Sequence, residues 1–311
     1  MKLSLVVPCY NEEANVPLFY ETVRQDFSAA GFDYELVFVN DGSSDGTLRA
    51  LQTLCAEADC PVKVIDFSRN FGKEAAMYAG LAEAEGDYVT IIDADLQQRP
   101  AIALEMVRML DAQPEIDCVA AYQEDRRESK ALVFFKNAFY RLINRFSDTE
   151  FVQGASDFRT MRRPMAEAVL RMDEYFRFSK GLFSWVGFRT EFIPYRAQER
   201  ASGQSKWSFW KLFKYALEGI FAFTTAPLRV ATVIGLITSV LSVIYLFVVI
   251  FQKLIFGIDV EGYATIVVLI LLLGGIQLLC IGIIGEYIAR TYIQTKKRPI
   301  YITKRKYKND K

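Results

Sequence analysis

The chain has 311 residues, and its 37 Lys or Arg balance its 37 Asp or Glu, so the formal net charge is zero. No histidine is present, which excludes His-based catalytic triads, histidine general bases and histidine-ligated zinc. The five cysteines are odd in number and form no CxxC pair, which predicts reduced residues of a cytosolic domain rather than a disulfide framework.

The first two thirds of the chain alternate β-branched runs with helical stretches, which predicts a doubly wound α/β sheet. The predicted strands are 3–7, 34–39, 62–67, 88–93 and 117–122, and the predicted helices are about 12–29, 45–58, 73–84 and 100–112. Because the strands are continuously apolar, we expect a mostly parallel sheet with both faces covered, complete before residue 203. Ligands bind at the carboxyl ends of such strands, where PCYNEE, NDGSSDGT, SRNFGKE and DADLQ follow.

The segment VNDGSSDGT follows the second predicted strand. Asp41 at the strand end is suited to accept hydrogen bonds from a nucleobase N–H or a ribose hydroxyl, while Asp45 or Ser44 is expected to cap the next helix. No GK[ST] follows the glycines, so a P-loop nucleotide triphosphatase is excluded.

The segment DADLQ ends a buried strand with two aspartates, Asp93 and Asp95. Carboxylates this close repel one another unless a cation lies between them or water covers them. Mg²⁺ or Mn²⁺ takes oxygen ligands and is usually completed by substrate phosphates, which predicts a diphosphate here, with Gln97 as a further oxygen donor. The alternative is that Asp95 caps the helix that follows Pro100.

Two uncharged runs of 23 residues, 230–252 and 263–285, are each long enough to cross a hydrocarbon layer of ~30 Å. A buried core helix is the alternative for either run. The segment 206–229 has the aromatic content of an interfacial amphipathic helix, and for the amphipathic segment 131–146 membrane contact and core packing both stay open. The N-terminus is not a signal peptide, since its apolar run is short and soon reaches Pro8 and acidic residues.

Residues 286–311 contain nine Lys or Arg against two acidic residues. By the positive-inside rule this basic tail, the catalytic domain and both termini are cytoplasmic, and the loop 253–262 is external. The tail is then expected to face anionic membrane lipids.

The motifs VVPCYNEE, VNDGSSDGT, FSRNFGKEAAMYAGL, DADLQ, GASDFR and GQSKWS, followed by two spans and KKRP, resemble the polyprenyl-phosphate glycosyltransferases of glycosyltransferase family 2. The resemblance is to the bacterial bactoprenol glucosyl transferases, which are related to dolichol-phosphate mannose synthase, and covers nearly the whole chain. It implies a GT-A (Rossmann-like) catalytic domain over 1–205, a nucleotide-sugar donor, Mg²⁺ or Mn²⁺, and a polyprenyl phosphate acceptor at the cytoplasmic membrane. It also implies a homo-oligomer and a separate flippase, and no nucleic acid partner.

The same resemblance implies roles for individual residues. The nucleotide sugar would be bound by Pro8, Tyr10, Glu12, Asp41, Arg69 and Asp93. The metal would be surrounded by Asp93, Asp95 and Gln97, with Asp95 and Asp157 as the catalytic residues and Arg159 beside Asp157. The acceptor phosphate would be bound by Arg126, Lys136, Arg200, Ser205 and Lys206. Relatives often have a basic residue where this chain has Gln123, so Arg126 or Lys136 is expected to bear more of the acceptor contact.

Asp157 occupies the position usually assigned to the catalytic base. A phosphate monoester has a second pKa of about 6 and is already largely a dianion at neutral pH, so Asp157 orients the acceptor or abstracts a proton, and both roles stay open.

The predicted reaction is inverting transfer of a hexose, glucose from UDP-glucose, to undecaprenyl phosphate. UDP-GlcNAc, UDP-galactose and GDP-mannose are alternative donors. A processive polysaccharide synthase is disfavoured because QERASGQSKW lacks the QxxRW motif. A non-catalytic scaffold or sugar transporter subunit is disfavoured because the aspartates are intact and the two spans carry no charge.

Overall fold

The computed structural model describes residues 1–124, 144, 155–196, 224–256, 262–309 and 311. The chain forms two compact units, one of residues 1–222 together with 298–311 and one of residues 223–297. Predictions for the amphipathic segment 131–146, most of the segment 206–229, and the acceptor residues Arg126, Lys136, Arg200, Ser205 and Lys206 lie outside the described residues.

The first unit is built on one mixed sheet, in which the described residues form eight strands. They are β1 Lys2–Cys9, β2 Asp33–Asn40, β3 Val62–Phe67, β4 Tyr88–Ile91, β5 Cys118–Gln123, β6 Ala155–Arg162, β7 Thr190–Tyr195 and β8 Thr303–Lys308. Their order across the sheet is β7-β5-β6-β4-β1-β2-β3-β8. The central β4-β1-β2-β3 block is parallel, whereas β6 is antiparallel to β4 and β5, and β8 is antiparallel to β3.

Helices cover both faces of this sheet. They are α1 Asn15–Ala30, α2 Thr47–Glu57, α3 Lys73–Glu83, α4 Ala101–Ala112, α5 Arg163–Leu170 and α6 Ser179–Trp185. Apolar side chains of α1, α2 and α4 pack into one core, and those of α3, α5 and α6 pack into a second core on the opposite face. The prediction of a mostly parallel sheet with two covered faces is confirmed for the block β4-β1-β2-β3, and the antiparallel strands β6 and β8 make the whole sheet mixed.

The five predicted strands and four predicted helices correspond to β1 to β5 and α1 to α4, with ends displaced by up to three residues. The strands β6, β7 and β8 were not predicted. The prediction that the sheet is complete before residue 203 is wrong, because β8 comes from residues 303–308 and forms an edge of the sheet.

The strand β8 belongs to the segment that the sequence analysis interpreted as a basic tail facing lipid. Ser68 N–H, directly after β3, donates a hydrogen bond to the carbonyl of Ile302, and the Tyr301 ring stacks on Phe67 with centroids 4.9 Å apart. Lys306 pairs with Glu83 of α3 at 2.6 Å. The C-terminal segment therefore supports the end of β3, from which the chain continues into α3.

The second unit contains α7 Ala226–Phe256 and α8 Tyr263–Thr295. Within them, Ala226–Gln252 and Val268–Thr295 have mean hydropathies of 2.7 and 2.6 and are long and apolar enough to cross a membrane. Side chains such as Phe247 and Leu278 are exposed, which is expected for helices whose solvent is lipid. The hydroxyl of Tyr287 on α8 donates to the carbonyl of Thr224 before α7 at 2.7 Å, joining the two helices.

A buried carboxylate network holds the amino-terminal end of the parallel block. The side chain of Glu35 on β2 is fully buried and accepts hydrogen bonds from Ser4 Oγ at 2.6 Å, Lys2 Nζ at 2.9 Å and the N–H of Glu85 at 2.6 Å. Lys63 Nζ lies 3.3 Å from the same carboxylate. Burial would raise the pKa of Glu35, but these partners outweigh burial and lower the pKa to about 2 from an ordinary value of 4.5.

We expect Glu35→Gln to lower the free energy of unfolding by about 2 kcal/mol, because it removes the buried counter-charge that Lys2 and Lys63 share, while Glu85 still pairs with Lys63 at 2.7 Å. Since the folded pKa is depressed, the wild-type advantage is present above pH 4.5 and is lost as the pH falls toward 2. Denaturation of the full chain in detergent, followed by circular dichroism, measures this. Glu21→Gln at an exposed Arg24 pair on α1 is the control and should change little; an equal loss in both variants would contradict the account.

Candidate functional site

The strand register predicts that two aspartates meet at one edge of the sheet. In the antiparallel pair of β4 and β6, Ile91 lies opposite Arg159. Asp93 comes two residues after Ile91 and Asp157 comes two residues before Arg159, so continuing the register places the two aspartates opposite one another. The carboxyl ends of the neighbouring parallel strands β1, β2 and β3 open at the same edge.

A lysine lies between these two aspartates. Lys73, the first residue of α3, has its Nζ 2.6 Å from Asp93 Oδ1 and 2.9 Å from Asp157 Oδ2. Its side chain is 42% exposed, whereas the side chains of Asp93 and Asp157 are 32% and 19% exposed. One ammonium therefore joins the two aspartates that the sequence analysis assigned to the metal and to catalysis.

The charges around Asp157 keep it ionised. Burial would raise the pKa of Asp157, but the positive charges of Lys73, Lys180 and Arg159 outweigh burial and hold that pKa well below its usual range. Conversely, burial would lower the pKa of Lys73, and the two carboxylates raise it above its ordinary value. A carboxylate with so low a pKa is a weak proton acceptor, which favours the orienting role of Asp157 over the base role.

Asp41 fixes the backbone that leads into Lys73. It is buried after β2, and its carboxylate accepts hydrogen bonds from the N–H of Phe71 at 2.6 Å and of Gly72 at 3.0 Å. Burial raises the pKa of Asp41, although these two N–H groups favour the charged form. The contact of Asp41 with a nucleoside stays a prediction, and the contact with the start of α3 is an additional role.

The turn after β2 approaches the same backbone too closely for a side chain. Gly42 has φ +60°, and a Cβ atom there would lie 2.3 Å from the carbonyl carbon of Arg69. A glycine is therefore needed at this position. Asp45, one of the two residues predicted as the cap, accepts hydrogen bonds from the N–H and hydroxyl of Thr47 at the start of α2.

The loop after β4 presents Asp95 without using it as a cap of α4. Asp95 Oδ1 accepts the N–H of Gln97 at 3.2 Å, whereas the first N–H of α4, that of Ala101, donates to Asp26. Gln98 is buried and its Oε1 accepts the N–H of Asp93 at 3.1 Å. Gln98 therefore holds the backbone of Asp93, a role that the sequence analysis missed.

The carboxylate of Glu74, next to Lys73, ties α3 to α6. It accepts hydrogen bonds from the N–H of Ser179 at 3.0 Å and from the Ser179 hydroxyl. Burial, followed by the negative charge of Asp157, raises the pKa of Glu74 to about 7. Neither Lys73 nor Glu74 was assigned a role from the sequence; the signal available was the charged pair KE at the start of the predicted helix 73–84, in the segment SRNFGKE that follows the third strand.

The other predicted nucleotide residues lie around the ends of β1 and β3. Pro8 is in β1, Tyr10 is exposed just beyond it, and Glu12 accepts a hydrogen bond from the side-chain amide of Asn15. Arg69 stacks its guanidinium on Phe71 at 3.9 Å. Arg69 also lines a cavity of about 310 Å³, whose wall includes aromatic residues and a second arginine, namely Phe71, Tyr175, Phe176 and Arg177.

Arg159 is buried on β6. Its Nη2 donates to the carbonyl of Ser156 at 3.0 Å and its guanidinium lies 3.9 Å from the Phe183 ring centroid. Its contribution to the site is a positive charge near Asp157.

Comparison with known proteins identifies the family. The family model for glycosyl transferase family 2 matches residues 4–170, and the model for the GtrB C-terminal hairpin matches residues 226–291. The chain belongs to glycosyl transferase family 2. The first match contains every motif from β1 to α5, and the second contains most of α7 and α8.

Relatives resemble this glycosyltransferase over their full length. It is 44% identical over 307 residues to the prophage bactoprenol glucosyl transferase homolog of Escherichia coli strain K12, covering 98% of this chain and 99% of the relative. It is 43% identical over 312 residues to the SfII prophage-derived bactoprenol glucosyl transferase of Shigella flexneri, covering 100% of both.

A solved structure supports the fold. The mannosyltransferase PcManGT from Pyrobaculum calidifontis, in complex with GDP-Man and Mn²⁺, superposes with a TM-score of 0.50 at 20% identity, covering 71% of this chain and 63% of that one. The expected GT-A-like sheet followed by two apolar helices is confirmed.

The carboxylates fit a divalent cation. Asp93 holds a cationic group at 2.6 Å, both it and Asp95 are partly accessible, and oxygen donors suit Mg²⁺ and Mn²⁺. Among the described residues no group of three or more His, Cys, Asp or Glu is arranged to hold a metal. Two carboxylates are fewer oxygen ligands than Mg²⁺ or Mn²⁺ takes, and substrate phosphates usually complete such a set.

Asp157→Asn tests the role of this residue. Because the pKa of Asp157 lies well below its usual range, we expect a loss of about 100-fold in kcat that is constant between about pH 6 and pH 9. Initial rates of sugar transfer across this range measure it, with Asp33→Asn at the exposed start of β2 as the control. A loss that high pH partly restores would show a base role, and activity within a few-fold of wild type would contradict both roles.

Proposed function

We propose that this protein transfers glucose from UDP-glucose to undecaprenyl phosphate at the cytoplasmic membrane face, with inversion at the anomeric carbon. The observation that carries the proposal is the arrangement at the sheet edge, where Asp93 and Asp157 lie on either side of Lys73. The names of relatives about 43% identical over the full length support a bactoprenol acceptor and glucose as the sugar.

The donor side of the reaction is assigned to the loop after β4. Asp93 and Asp95 would hold Mg²⁺ or Mn²⁺, which would stabilise the charge that develops on the departing nucleoside diphosphate. Gln98 accepts a hydrogen bond from the backbone N–H of Asp93 and keeps it in place. Gln97 lies between Asp95 and Gln98 in the same loop, and its N–H donates to Asp95. Arg69, with Pro8, Tyr10, Glu12 and Asp41, is proposed to bind the nucleotide.

The acceptor side is assigned to β6. Asp157 is ionised and held by Lys73, and its carboxylate is proposed to orient the attacking phosphate. The acceptor is already largely a dianion at neutral pH and needs little deprotonation. Attack from the side opposite the diphosphate inverts the anomeric carbon. The acceptor residues Arg126, Lys136, Arg200, Ser205 and Lys206 stay predictions from the resemblance.

The chain topology supports one side of the membrane for the catalytic unit. Residues 1–222 and 298–311 belong to the same compact unit, and α7 and α8 lie between them in the chain. Two crossings return the chain to the side that it left. The basic residues near the second helix favour the cytoplasmic side. A homo-oligomer and a separate flippase stay predictions.

The described residues disfavour two alternative functions, a processive polysaccharide synthase and a non-catalytic scaffold. A processive synthase requires a translocation path, and the described residues contain two candidate membrane helices with exposed apolar side chains. A non-catalytic scaffold does not need two carboxylates held by a shared lysine at a strand end.

The proposal is tested by incubating the purified full chain with undecaprenyl phosphate, Mg²⁺ and, in separate reactions, radiolabelled UDP-glucose, UDP-GlcNAc, UDP-galactose and GDP-mannose. We expect label in the lipid extract with UDP-glucose. Labelling with another nucleotide sugar alone would contradict the glucose assignment, and labelling with none would contradict the function.

Asp95→Asn tests the metal assignment. We expect transfer to fall about 100-fold or more and Mn²⁺ affinity to fall in parallel, because a ligand charge is removed without loss of packing. Rates with Mg²⁺ and Mn²⁺ titrations followed by electron paramagnetic resonance measure the two effects. Asp33→Asn should match wild type in both. Near wild-type transfer by Asp95→Asn, or wild-type activity that is indifferent to EDTA, would show that the assignment is wrong.

A further inference from the structure

Lys73 has more hydrogen-bond capacity than its two partners use. An ammonium carries three N–H donors, and the described contacts of Lys73 Nζ are one oxygen of Asp93 and one of Asp157. Its side chain is 42% exposed, which leaves room for a ligand to approach.

A divalent cation bound in the site would shift the pairing of Lys73 toward Asp157. A divalent cation on Asp93 and Asp95 would take over the Asp93 carboxylate and repel the ammonium. The contact with Asp157, 2.9 Å long, is free of that competition. Lys73 would then keep Asp157 and offer its other N–H groups to the space between the donor and the acceptor.

An acceptor phosphate needs a cation in that space. The phosphate is a dianion that must approach the carboxylate of Asp157, and two such anions repel one another strongly in a partly buried site. Lys180 and Arg159 also act on Asp157 by charge, but Arg159 is buried against Phe183. Lys73 directly contacts Asp93, which is assigned to the donor side, and Asp157, which is assigned to the acceptor side.

We propose that Lys73 Nζ binds a phosphate oxygen of the polyprenyl phosphate acceptor while remaining paired with Asp157. This inference rests on the proposed function, and it adds a substrate-binding residue for which the sequence analysis had no role. It also gives Asp157 a physical purpose other than proton abstraction, since Asp157 holds the cation that receives the phosphate.

Substitutions of Lys73 test the proposal. Lys73→Met and Lys73→Gln remove the positive charge, and Lys73→Arg keeps it. Lys304→Met, at an exposed position of β8, is the matched control. All are measured as the full chain in detergent. We expect kcat/KM for undecaprenyl phosphate to fall about 10- to 100-fold in Lys73→Met and Lys73→Gln, and less in Lys73→Arg. The dissociation constant of UDP in the presence of Mn²⁺, from calorimetry, should stay within about threefold of wild type.

To distinguish phosphate binding by Lys73 from a merely structural role, the Lys73 variants are compared again in an Asp157→Asn background. If Lys73 acts only by holding Asp157, its removal there changes nothing further. The proposal expects the KM for the acceptor to rise again. An unchanged acceptor KM in that background would overturn it. The proposal would also be overturned if Lys73→Met weakened UDP binding and left the acceptor KM unchanged, because that result would assign Lys73 to the donor diphosphate.

Direct binding of farnesyl phosphate, measured without donor, separates this proposal from the proposed function. Weaker binding to Lys73→Met than to wild type supports the acceptor site even if the wild type transfers no sugar, in which case only the proposed function fails. Equal binding to wild type, Lys73→Met and Lys304→Met overturns the inference, whatever the turnover shows.

Discussion

Two carboxylates that face one another across a sheet edge repel one another unless a cation lies between them or water covers them. In this protein the register of β4 and β6 brings Asp93 and Asp157 together, and the ammonium of Lys73 lies between them. Three elements from separate parts of the chain, β4, β6 and α3, therefore converge on one charge. Under the proposed function, a metal ion would compete with Lys73 for Asp93, and the acceptor phosphate would become a further partner of Lys73.

Much of the surrounding fold positions Lys73. Asp41 accepts hydrogen bonds from the backbone N–H groups of the two residues before Lys73. Gly42 allows the turn after β2 to approach the same backbone. Glu74 joins the first turn of α3 to α6. The C-terminal strand β8 pairs with β3 at the edge of the sheet. A segment more than 220 residues away in sequence therefore supports the strand that leads into α3.

The sequence was sufficient for the parallel block and for β5, but not for β6, β7 and β8. Apolar runs with β-branched residues identify β1 to β4, and aspartates after two of them identify the site edge. The strand β8 reads TKRKYK and has no apolar pattern, because it lies at an exposed edge and is held by backbone pairing with β3. Lys73 was missed because a lysine at a helix start resembles a solvated residue until the register of β4 and β6 is known.

The central claim is that a divalent cation would replace Lys73 as the partner of Asp93, while Lys73 would stay paired with Asp157. A structure of the full chain with UDP and Mn²⁺ bound, determined by cryo-electron microscopy or crystallography, tests it most directly. The account predicts Mn²⁺ on Asp93 and Asp95, with Lys73 Nζ within hydrogen-bond distance of Asp157 and no longer bound to Asp93. Lys73 still paired with Asp93 beside the ion, or turned away from Asp157, would contradict it.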